Sequence, residues 1–417
     1  MRKSLLFICL WLSTLSFSEV VNAIQFAGLT KTKESYLRSI LLNQVGKEYI
    51  EGSLEKDNQI LRNLKLFFSV NSSASYNSAA SGWDLLFEVE EATYLYPILS
   101  ASGFKSQLKI QAGFNQINFR GKAEHIGLLY QFYDRHSIFG FYHVPRHHNN
   151  KTGHEISITK YSTVEPLYFK DTVTPFNFDN YNVSTSLHYW ITPKLRSGIG
   201  GMYMYETYQQ IDTSVFDLGQ FEFFFHKYQI RTAIDYNNLD EHFERQRGLR
   251  NHGYAETIQT IDYPDISFFK FTNDFYFYRF LGKNGNLALH QRIGIATNND
   301  SPFSPFVLDG FLNVRGVGNR IARGTAEMIV NAEYRHTLIK HNWLFLQFVS
   351  FADFGTLRQA GEEIKDMFKD QSVELFLGGG LRIHSRKLYK VIFRIDYSVN
   401  PIFPQRHGPT FGVGQFF

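Results

Sequence analysis

Hydrophobic and polar residues alternate along most of the chain, from about residue 93 to residue 417. Phe221, Phe223 and Phe225, for example, alternate with Gln220 and Glu222. A period of two residues is typical of a β-strand, because successive side chains point to opposite faces of a sheet. Several segments place full charges, such as those of Glu333, Arg335 and Asp396, opposite wholly apolar rows. This arrangement is typical of a barrel with a lipid-facing wall and a polar lumen. The pattern therefore predicts a mostly β protein whose main part is an antiparallel transmembrane β-barrel.

The alternating region divides into sixteen segments. We predict strands near residues 93–101, 106–115, 122–132, 136–145, 155–163, 180–191, 195–208, 216–226, 229–238, 266–280, 286–297, 325–337, 343–355, 373–384, 388–397 and 409–417. Because backbone groups that face lipid must be paired, we expect these strands to close into a barrel without edges. The charged stretch 239–265 is interpreted as a solvated outer loop between two strands.

A different, mixed pattern precedes the barrel and occupies residues 24–92. Ile24 begins an alternating strand, and apolar residues at helical spacing follow near residues 32–46 and 53–64. Two more strands complete the order β-α-α-β-β. The sequence therefore predicts one small α+β domain at 24–92, followed by the barrel at 93–417.

The first 23 residues have the organisation of a secretory signal peptide. Arg2 and Lys3 precede an apolar run at residues 5–17, and Ala23 ends a small-residue cleavage site. A membrane anchor is the alternative, but the run is shorter than the ~20 residues that a spanning helix needs. Cys9, the single cysteine, lies in this segment, so the predicted mature chain has no thiol for a disulfide or a metal site.

The composition supports a membrane barrel and argues against a nucleic-acid-binding protein. Phe, Tyr and Trp make up 17% of the chain, yet its mean hydropathy is slightly negative. A barrel uses many aromatic rings in girdles at the two membrane interfaces while its lumen stays polar. The net charge of +4 is too small to indicate a nucleic-acid partner.

A loop near the C-terminal end carries the first of two informative motifs. Val314, Arg315 and Gly316 lie in the predicted loop 298–324, together with several other apolar residues and glycines. Apolar residues are unusual in a loop that is exposed to water. We therefore expect this loop to fold back into the barrel lumen, where glycines permit tight turns.

The second motif lies in a strand about forty residues further along. It consists of Phe351, Asp353 and Gly355, and Asp353 falls in the register that points into the lumen. An Arg–carboxylate pair in a partly desolvated lumen is a strong, directional contact. We expect Arg315 and Asp353 to meet and to fix the loop to the barrel wall.

Together these motifs resemble the VRG(F/Y) loop and the FxDxG strand of the BamA/TamA superfamily of outer-membrane assembly proteins and their two-partner-secretion relatives. Residues 113–121 likewise resemble the turn after the second barrel strand of that superfamily. The resemblance implies that residues 24–92 form a single POTRA domain, that Arg315 is the loop arginine and that Asp353 is its lumen partner. Val317 stands where the family usually has an aromatic residue.

The resemblance implies a protein that inserts or folds outer-membrane proteins, or helps to export a polypeptide. Its partners would be the outer-membrane bilayer, unfolded client polypeptides and periplasmic proteins or lipoproteins that bind the POTRA-like domain. It implies a Gram-negative outer-membrane location with the N-terminal domain in the periplasm. A passive channel or solute transporter is the alternative, and an adhesive surface protein is a third possibility.

The sequence contains little that indicates catalysis or cofactor binding. His154-Glu155 lacks the second histidine of a zinc H-E-x-x-H helix, and there is no G-x-S-x-G elbow or phosphate loop. We therefore expect neither an enzyme nor a bound cofactor or metal.

The last residues have the form of a sorting signal for outer-membrane barrels. Phe411 and Val413 alternate with smaller residues, and Phe417 supplies a terminal aromatic. This feature indicates location but not activity, because passive porins share it.

Glycine and proline mark the two strands that would close the barrel. The last strand contains Gly412 and Gly414, and the first contains Pro97, which cannot donate a ladder hydrogen bond. Such a seam would open sideways and template an incoming strand by β-augmentation. Alternatively, Pro97 marks only the linker, and the strand starts after it.

Overall fold

A small α/β domain lies at the N-terminal end of the described chain. The computed structural model describes residues 20–417 except 103–108, 148–150, 170–171, 212–221, 243–244, 319, 342, 370–371 and 386–391. The domain consists of β1 (Val20–Ala27), α1 (Glu34–Ile40), α2 (Ser53–Asn63), β2 (Phe67–Asn77) and β3 (Gly82–Glu91). β3 is the central strand, parallel to β1 and antiparallel to β2. The predicted order β-α-α-β-β is confirmed.

Two helices cover one face of this sheet and enclose a core of fully buried side chains such as Leu37, Leu61 and Phe87. A buried carboxylate ties the two helices together, because Asp57 accepts hydrogen bonds from the backbone nitrogens of Leu42 (2.6 Å) and Asn43 (3.2 Å). No helix within the described ranges is long and apolar enough to cross a membrane.

The first strand begins at Val20, four residues before the predicted start of the domain. Val21 is fully buried, and its backbone bonds Lys47 and Gly46, each at 2.8 Å. Cleavage after Ala23 would therefore remove half of β1. Ser16 and Ser18 also have the small side chains that a signal peptidase needs, and cleavage after Ser18 would keep the strand whole.

We predict that the mature protein begins at Glu19. Intact-mass measurement of the protein purified from membranes would show this N-terminus directly. A mature chain beginning at Ile24 would show that the domain forms without the first half of β1.

Sixteen antiparallel strands of the described residues form the barrel wall, as predicted. They are β4 (Leu95–Ser102), β5 (Lys109–Phe119), β6 (Glu124–Tyr133), β7 (Arg135–Val144), β8 (Thr152–Phe169), β9 (Thr172–Trp190), β10 (Leu195–Gln210), β11 (Glu222–Asn237), β13 (Gln246–Thr260), β14 (Phe268–Leu281), β15 (Gly285–Ala296), β18 (Ala326–Lys340), β19 (Leu344–Arg358), β20 (Val373–Ser385), β21 (Ile392–Val399) and β22 (His407–Val413). Consecutive strands are neighbours, and β22 lies beside β4 to complete the ring.

Short elements occur in the connections between these strands. They are β12 (Asp240–Glu241), β16 (Phe306–Leu308), β17 (Ala322–Gly324) and two 3-10 turns at Pro264–Ile266 and Ile364–Phe368. β12 pairs with β13, and β16 pairs with β17 inside the long connection between β15 and β18.

Two sequence-based assignments in the middle of the barrel are wrong. One predicts a strand too many and the other a strand too few, so the total of sixteen is unchanged. The predicted strands 216–226 and 229–238 form a single strand, β11, although residues 216–221 lie outside the described part. The predicted outer loop 239–265 contains β13. Arg250 of β13 faces the lumen and binds Asp235 at 2.9 Å, whereas Arg247 binds Asp240 of the connection at 2.8 Å. The charged stretch is therefore partly a connection and partly a strand with a charged inner face.

The two ends of the barrel differ. The N-terminal domain packs against one end, which we call the proximal end and which carries the turns 120–123, 191–194 and 238–245. The long connections 297–325 and 359–372 lie at the opposite, distal end. Along each strand the outward side chains are largely apolar and exposed, whereas buried polar and charged side chains line the lumen.

Candidate functional site in the barrel lumen

The connection between β15 and β18 enters the lumen from the distal end. Val314 and Val317 are buried there, 0% and 5% exposed, in an apolar cluster with Leu308, Ile329 and Phe376. Because Ile329 and Phe376 belong to the inner faces of wall strands, the loop packs directly against the barrel wall. Val317 thus fills an apolar position in this contact.

Arg315 is the centre of the contact between the loop and the wall. Its side chain is fully buried, and it binds Asp353 through Nε (2.7 Å) and Nη2 (2.8 Å). The backbone nitrogen of Arg315 donates a third bond to the same carboxylate at 3.1 Å. Nη1 donates to Glu333 on β18 at 2.5 Å. Two-point binding of a carboxylate fixes the orientation of the guanidinium as well as its position.

Two aromatic rings cover the guanidinium of Arg315. Its carbon lies 3.6 Å from the ring centre of Phe351 on β19 and 4.3 Å from that of Phe416, in the last residues of the chain. Both distances fall in the range of cation–π attraction, which strengthens when water is excluded. Arg315 therefore joins the loop, the wall and the C-terminal residues.

Glycines of both motifs make room for this close approach. A Cβ atom on Gly355 would lie 2.6 Å from a methyl group of Val314, and one on Gly316 would lie 2.0 Å from Oγ of Ser398. Gly316 also has φ of +83°, which is costly for other residues. Phe351, Asp353 and Gly355 occupy alternate positions on the inner face of β19, so each meets the loop.

A wider set of charged residues surrounds Arg315. Arg382 binds Asp396 at 2.5 Å and 3.2 Å, Arg335 binds Glu333 at 2.6 Å, and Asp396 lies 3.6 Å from Arg315. The alternating pattern had already placed Glu333, Arg335 and Asp396 on polar faces. It gave no sign that these distant strands form one network.

The loop has a second attachment on the opposite wall of the barrel. Arg323 binds Glu165 of β8 at 2.8 Å, and Arg320 contacts the same carboxylate. Nearby, the ring of Phe303 packs against Tyr208 and Phe225 at centroid distances of 4.9 and 5.1 Å. The loop therefore crosses the lumen and is held on both sides.

A comparison with family models identifies the barrel. A model described as the Omp85 superfamily domain matches residues 118–417, well over half of the chain. The chain belongs to the Omp85 superfamily. A POTRA model, described as surface antigen variable number repeat, matches residues 19–92. The resemblance inferred from the sequence motifs is confirmed, and an Omp85-type barrel belongs in the Gram-negative outer membrane. A search of curated protein sequences finds no match.

Solved structures of Omp85 type share this fold. BamA from Haemophilus ducreyi lacking POTRA domains 1–3 has 15% identity and a TM-score of 0.58, covering 95% of this chain and 84% of that chain. CdiB from Acinetobacter baumannii has 14% identity and a TM-score of 0.62, covering 95% and 73%. CdiB from Escherichia coli has 11% identity and a TM-score of 0.64, covering 95% and 76%. At these identities the likeness shows the fold alone.

The C-terminal residues of this Omp85 barrel leave the wall and turn into the lumen. Phe411 and Val413 are outward and about 40% exposed, at 40% and 39%. Gly414, with φ of +94°, then redirects the chain. Phe417 ends beside Arg335, which donates to its backbone oxygen at 3.1 Å. The three residues of the predicted sorting signal are thus divided between the two faces of the wall.

Each of the two strands at the seam, β4 and β22, contains one proline, which has no backbone N–H to donate. Along an antiparallel strand, the backbone groups of successive residues point alternately to the two neighbouring strands. The carbonyl of Tyr94 points to β5, because it accepts a bond from Ile117. The nitrogen of Pro97, three residues later and within β4, therefore points to β22. On the other side, Gly414 donates to Ile392 of β21, and the same alternation turns the nitrogen of Pro409 toward β4.

Gly412, in the last strand, and Gly414, just after it, have different roles. A Cβ on Gly412 would lie 2.7 Å from Nη2 of Arg394, so this glycine leaves space for a lumen arginine. Gly414 lies past the end of β22 and supplies the turn into the lumen.

The N-terminal domain contacts the proximal end of the Omp85 barrel at two points. The first is the turn 120–123, where Lys33 donates a backbone bond to Gly121 at 2.9 Å, and Asn118 binds Thr32 at 2.9 Å. The second is β12, where Arg62 of α2 binds Asp240 at 2.9 Å. The domain thus bridges turns that belong to separate parts of the barrel rim.

The carboxylate of Glu91 holds the backbone of the N-terminal domain in place at the first contact. Glu91 accepts backbone bonds from Lys31 (2.9 Å) and Thr32 (2.8 Å). Burial acts to raise the pKa of Glu91, but these bonds and those from the hydroxyls of Thr30 and Thr32 lower it from 4.5 to about 2. The contribution of Glu91 to the contact is complete above pH 4.5 and is lost as the pH falls toward 2.

We predict that Gly121→Ala loosens the N-terminal domain from the barrel. A Cβ at this position would lie 2.3 Å from the backbone oxygen of Lys31, and φ of +72° adds strain. Limited proteolysis should then cleave more rapidly near residues 28–33, while the heat-modified gel shift of the barrel stays unchanged. Gly46→Ala is the matched control, because Gly46 has a similar φ of +79° but no atom within 4 Å. Equal protease resistance in both variants would contradict the tight contact.

Proposed function

We propose that this Omp85 protein inserts polypeptides into the outer membrane, or helps to export them, by opening the seam between β4 and β22. The proximal end and the N-terminal domain would face the periplasm. The observation that carries the proposal is the contrast between a filled lumen and a weak seam. A polypeptide would have to break fewer contacts to pass through the seam than to pass along the barrel axis.

The filled lumen favours this proposal over a passive channel. The loop around Arg315 is attached to Asp353 on one side and to Glu165 on the other. Phe416 and Phe417 occupy more of the lumen near the proximal end. A solute would have to displace buried ion pairs to pass, whereas a porin keeps an open aqueous path.

The seam is the weakest part of the barrel wall on three grounds. Within the described residues, β4 and β22 contain eight and seven residues, whereas β8 and β9 contain 18 and 19. Pro97 and Pro409 each remove a donor that would face the opposite strand. The chain also leaves the wall at Gly414, which shortens the pairing at the proximal end. Unpaired strand edges are ready templates for another strand.

The N-terminal domain supports a role in receiving the client. The sheet order β1-β3-β2 leaves β2 on an edge, with eleven residues and no further strand beside it in the described part of the chain. A client strand would extend this sheet by β-augmentation. Contacts with turns on the proximal rim hold the domain there, and one of these turns, 120–123, follows β5, the strand next to β4.

A binding and assembly role is preferred to catalysis because the buried charges neutralise one another. Arg315 binds both Asp353 and Glu333, and all three side chains are fully buried. Within the described ranges, no group of three or more His, Cys, Asp or Glu side chains has the geometry of a metal site.

The proposal is tested by depleting the protein and comparing outer-membrane proteomes. Loss of a defined set of barrels or exported proteins is expected, and an unchanged proteome would contradict it. Planar-bilayer recording addresses the channel alternative. Small, irregular conductance is expected from a filled lumen, and a stable, wide conductance would favour a channel.

We predict that replacing both seam prolines by valine strengthens the seam. Pro97→Val with Pro409→Val restores two donors, each worth about 1 kcal/mol when paired. The barrel should unfold at a higher temperature on heat-modifiability gels, and client assembly should slow. Pro401→Val, in the distal turn between β21 and β22, is the control and should change neither. Unaltered unfolding and assembly in the double variant would contradict a donor-poor seam.

A further inference from the structure

A basic cavity lies between the N-terminal domain and the outer surface of the barrel. Its volume is about 590 Å³, and it is partly open to the surroundings. The cationic side chains that line it are Lys33 from the domain and Arg120, Lys122 and Arg146 from the barrel. His147 and His154 of the barrel also line it. Among the described residues that line it, Glu124 is the single acidic one.

The charge of the cavity is only partly neutralised. Glu124 is engaged by Arg120 (2.7 Å) and by the hydroxyl of Tyr142 (3.0 Å). Lys33 and Lys122 have no carboxylate within ion-pair distance in the part of the chain that the structure describes. The cavity therefore carries an excess of positive charge that a bound anion would balance.

The strand register places this cavity at the edge of the lipid-facing wall. Tyr142 is the register partner of Ile156, and His154 is the partner of Leu187, so all four side chains lie on the outer face. Ile156 and Leu187 are 44% and 61% exposed. Acyl chains would lie against these apolar side chains while a headgroup reached the cavity at the proximal rim.

The turn that forms one wall of the cavity has an uncommon backbone. Arg120 and Ala123 have φ of +59° and +54°, a region that side chains other than glycine rarely adopt. The strained turn is held by Asn118, which accepts a bond from the backbone of Ala123 at 2.9 Å. In this conformation the guanidinium of Arg120 contacts Tyr142 (2.6 Å) at the cavity wall. Such strain is concentrated at functional sites.

We propose that this cavity binds the phosphate of a phospholipid headgroup in the inner leaflet of the outer membrane. The cations would surround the phosphate, and the apolar wall above would hold the acyl chains. Since Lys33 belongs to the domain and Lys122 to the barrel, the lipid would join the two and fix the domain against the membrane. The inference depends on the barrel's position in the membrane and not on which polypeptide it handles.

The test measures lipid binding to the purified full chain in detergent by native mass spectrometry. Phosphatidylglycerol and phosphatidylethanolamine are compared with diacylglycerol, which lacks the phosphate. Both phospholipids should be retained and diacylglycerol should not. In the double variant Lys33→Gln and Lys122→Gln, phosphatidylglycerol affinity should fall about thirtyfold, because each basic residue near an anionic lipid headgroup usually contributes about 1 kcal/mol.

Two controls separate this site from general effects. Lys194→Gln with Lys283→Gln removes the same charge from other proximal turns and should leave lipid affinity unchanged. Heat-modifiability gels show whether every variant retains its folded barrel. Equal lipid affinity in the two double variants would overturn the proposal. Binding of inorganic phosphate as tight as that of phospholipid would also overturn it, because the site would then be one for the free anion.

Discussion

Arg315→Ala is expected to lower the temperature at which the barrel unfolds on heat-modifiability gels by more than any single surface substitution. The side chain is fully buried and contacts two carboxylates, Asp353 and Glu333. Removing one partner of a buried ion pair leaves an uncompensated charge, and this typically costs about 3–5 kcal/mol. The loop should also separate from the wall, which would give larger conductance in planar bilayers.

Two further variants show whether this effect depends on the geometry of the contact. Arg315→Lys keeps the charge but not the two-point binding, so it should recover only part of the stability. Arg231→Ala is the matched control, because Arg231 also faces the lumen and contacts a carboxylate, Glu256, at 2.5 Å. Its side chain is 45% exposed, and Glu256 would keep Lys270 (2.6 Å) and Gln229 (2.5 Å) as partners, so the loss of stability should be much smaller than for Arg315→Ala. Equal losses in the two alanine variants would contradict a central role for Arg315.

The inner and outer faces of most strands could be predicted from the sequence, because a period of two is a local property. In β18, Glu333 and Arg335 were assigned to the polar face, and both face the lumen. The same rule failed in β13, where Arg247 and Arg250 suggested a solvated loop. Lumen-facing charges and loop charges have the same composition, so local sequence cannot separate them unless the strand partners are known.

The contact between Arg315 and Asp353 could be anticipated because both residues lie in short motifs with a defined register. The attachment to Glu165 could not, since it joins residues 158 positions apart with no local signal. Phe416 was also missed as a partner of Arg315. The alternation of the last strand suggested that the wall continued to Phe417, whereas Gly414 ends it. A positive φ at a single glycine decided the path of the remaining residues.

A disulfide between the first and last barrel strands is expected to abolish client assembly without unfolding the protein. Cysteines at Ile98 and Thr410 would face the lumen on either side of the seam. The predicted mature chain has no other cysteine, because Cys9 lies in the signal segment. A covalent link would hold β4 and β22 together, so an incoming strand could not pair with either edge.

The matched control joins two strands that are not expected to separate. Cysteines at Gln111 and Gln131 are register partners on the inner faces of β5 and β6, where the two amides are 3.0 Å apart. This disulfide adds the same constraint to the wall and leaves the seam free. It should therefore support normal assembly.

The measurement that tests the seam most directly is rescue of a depleted strain by the locked protein, read out as the outer-membrane level of the clients. We expect the seam disulfide to prevent rescue, a reductant to restore it, and the control disulfide to have no effect. Full rescue by a protein whose seam is shown to be completely crosslinked would contradict the account.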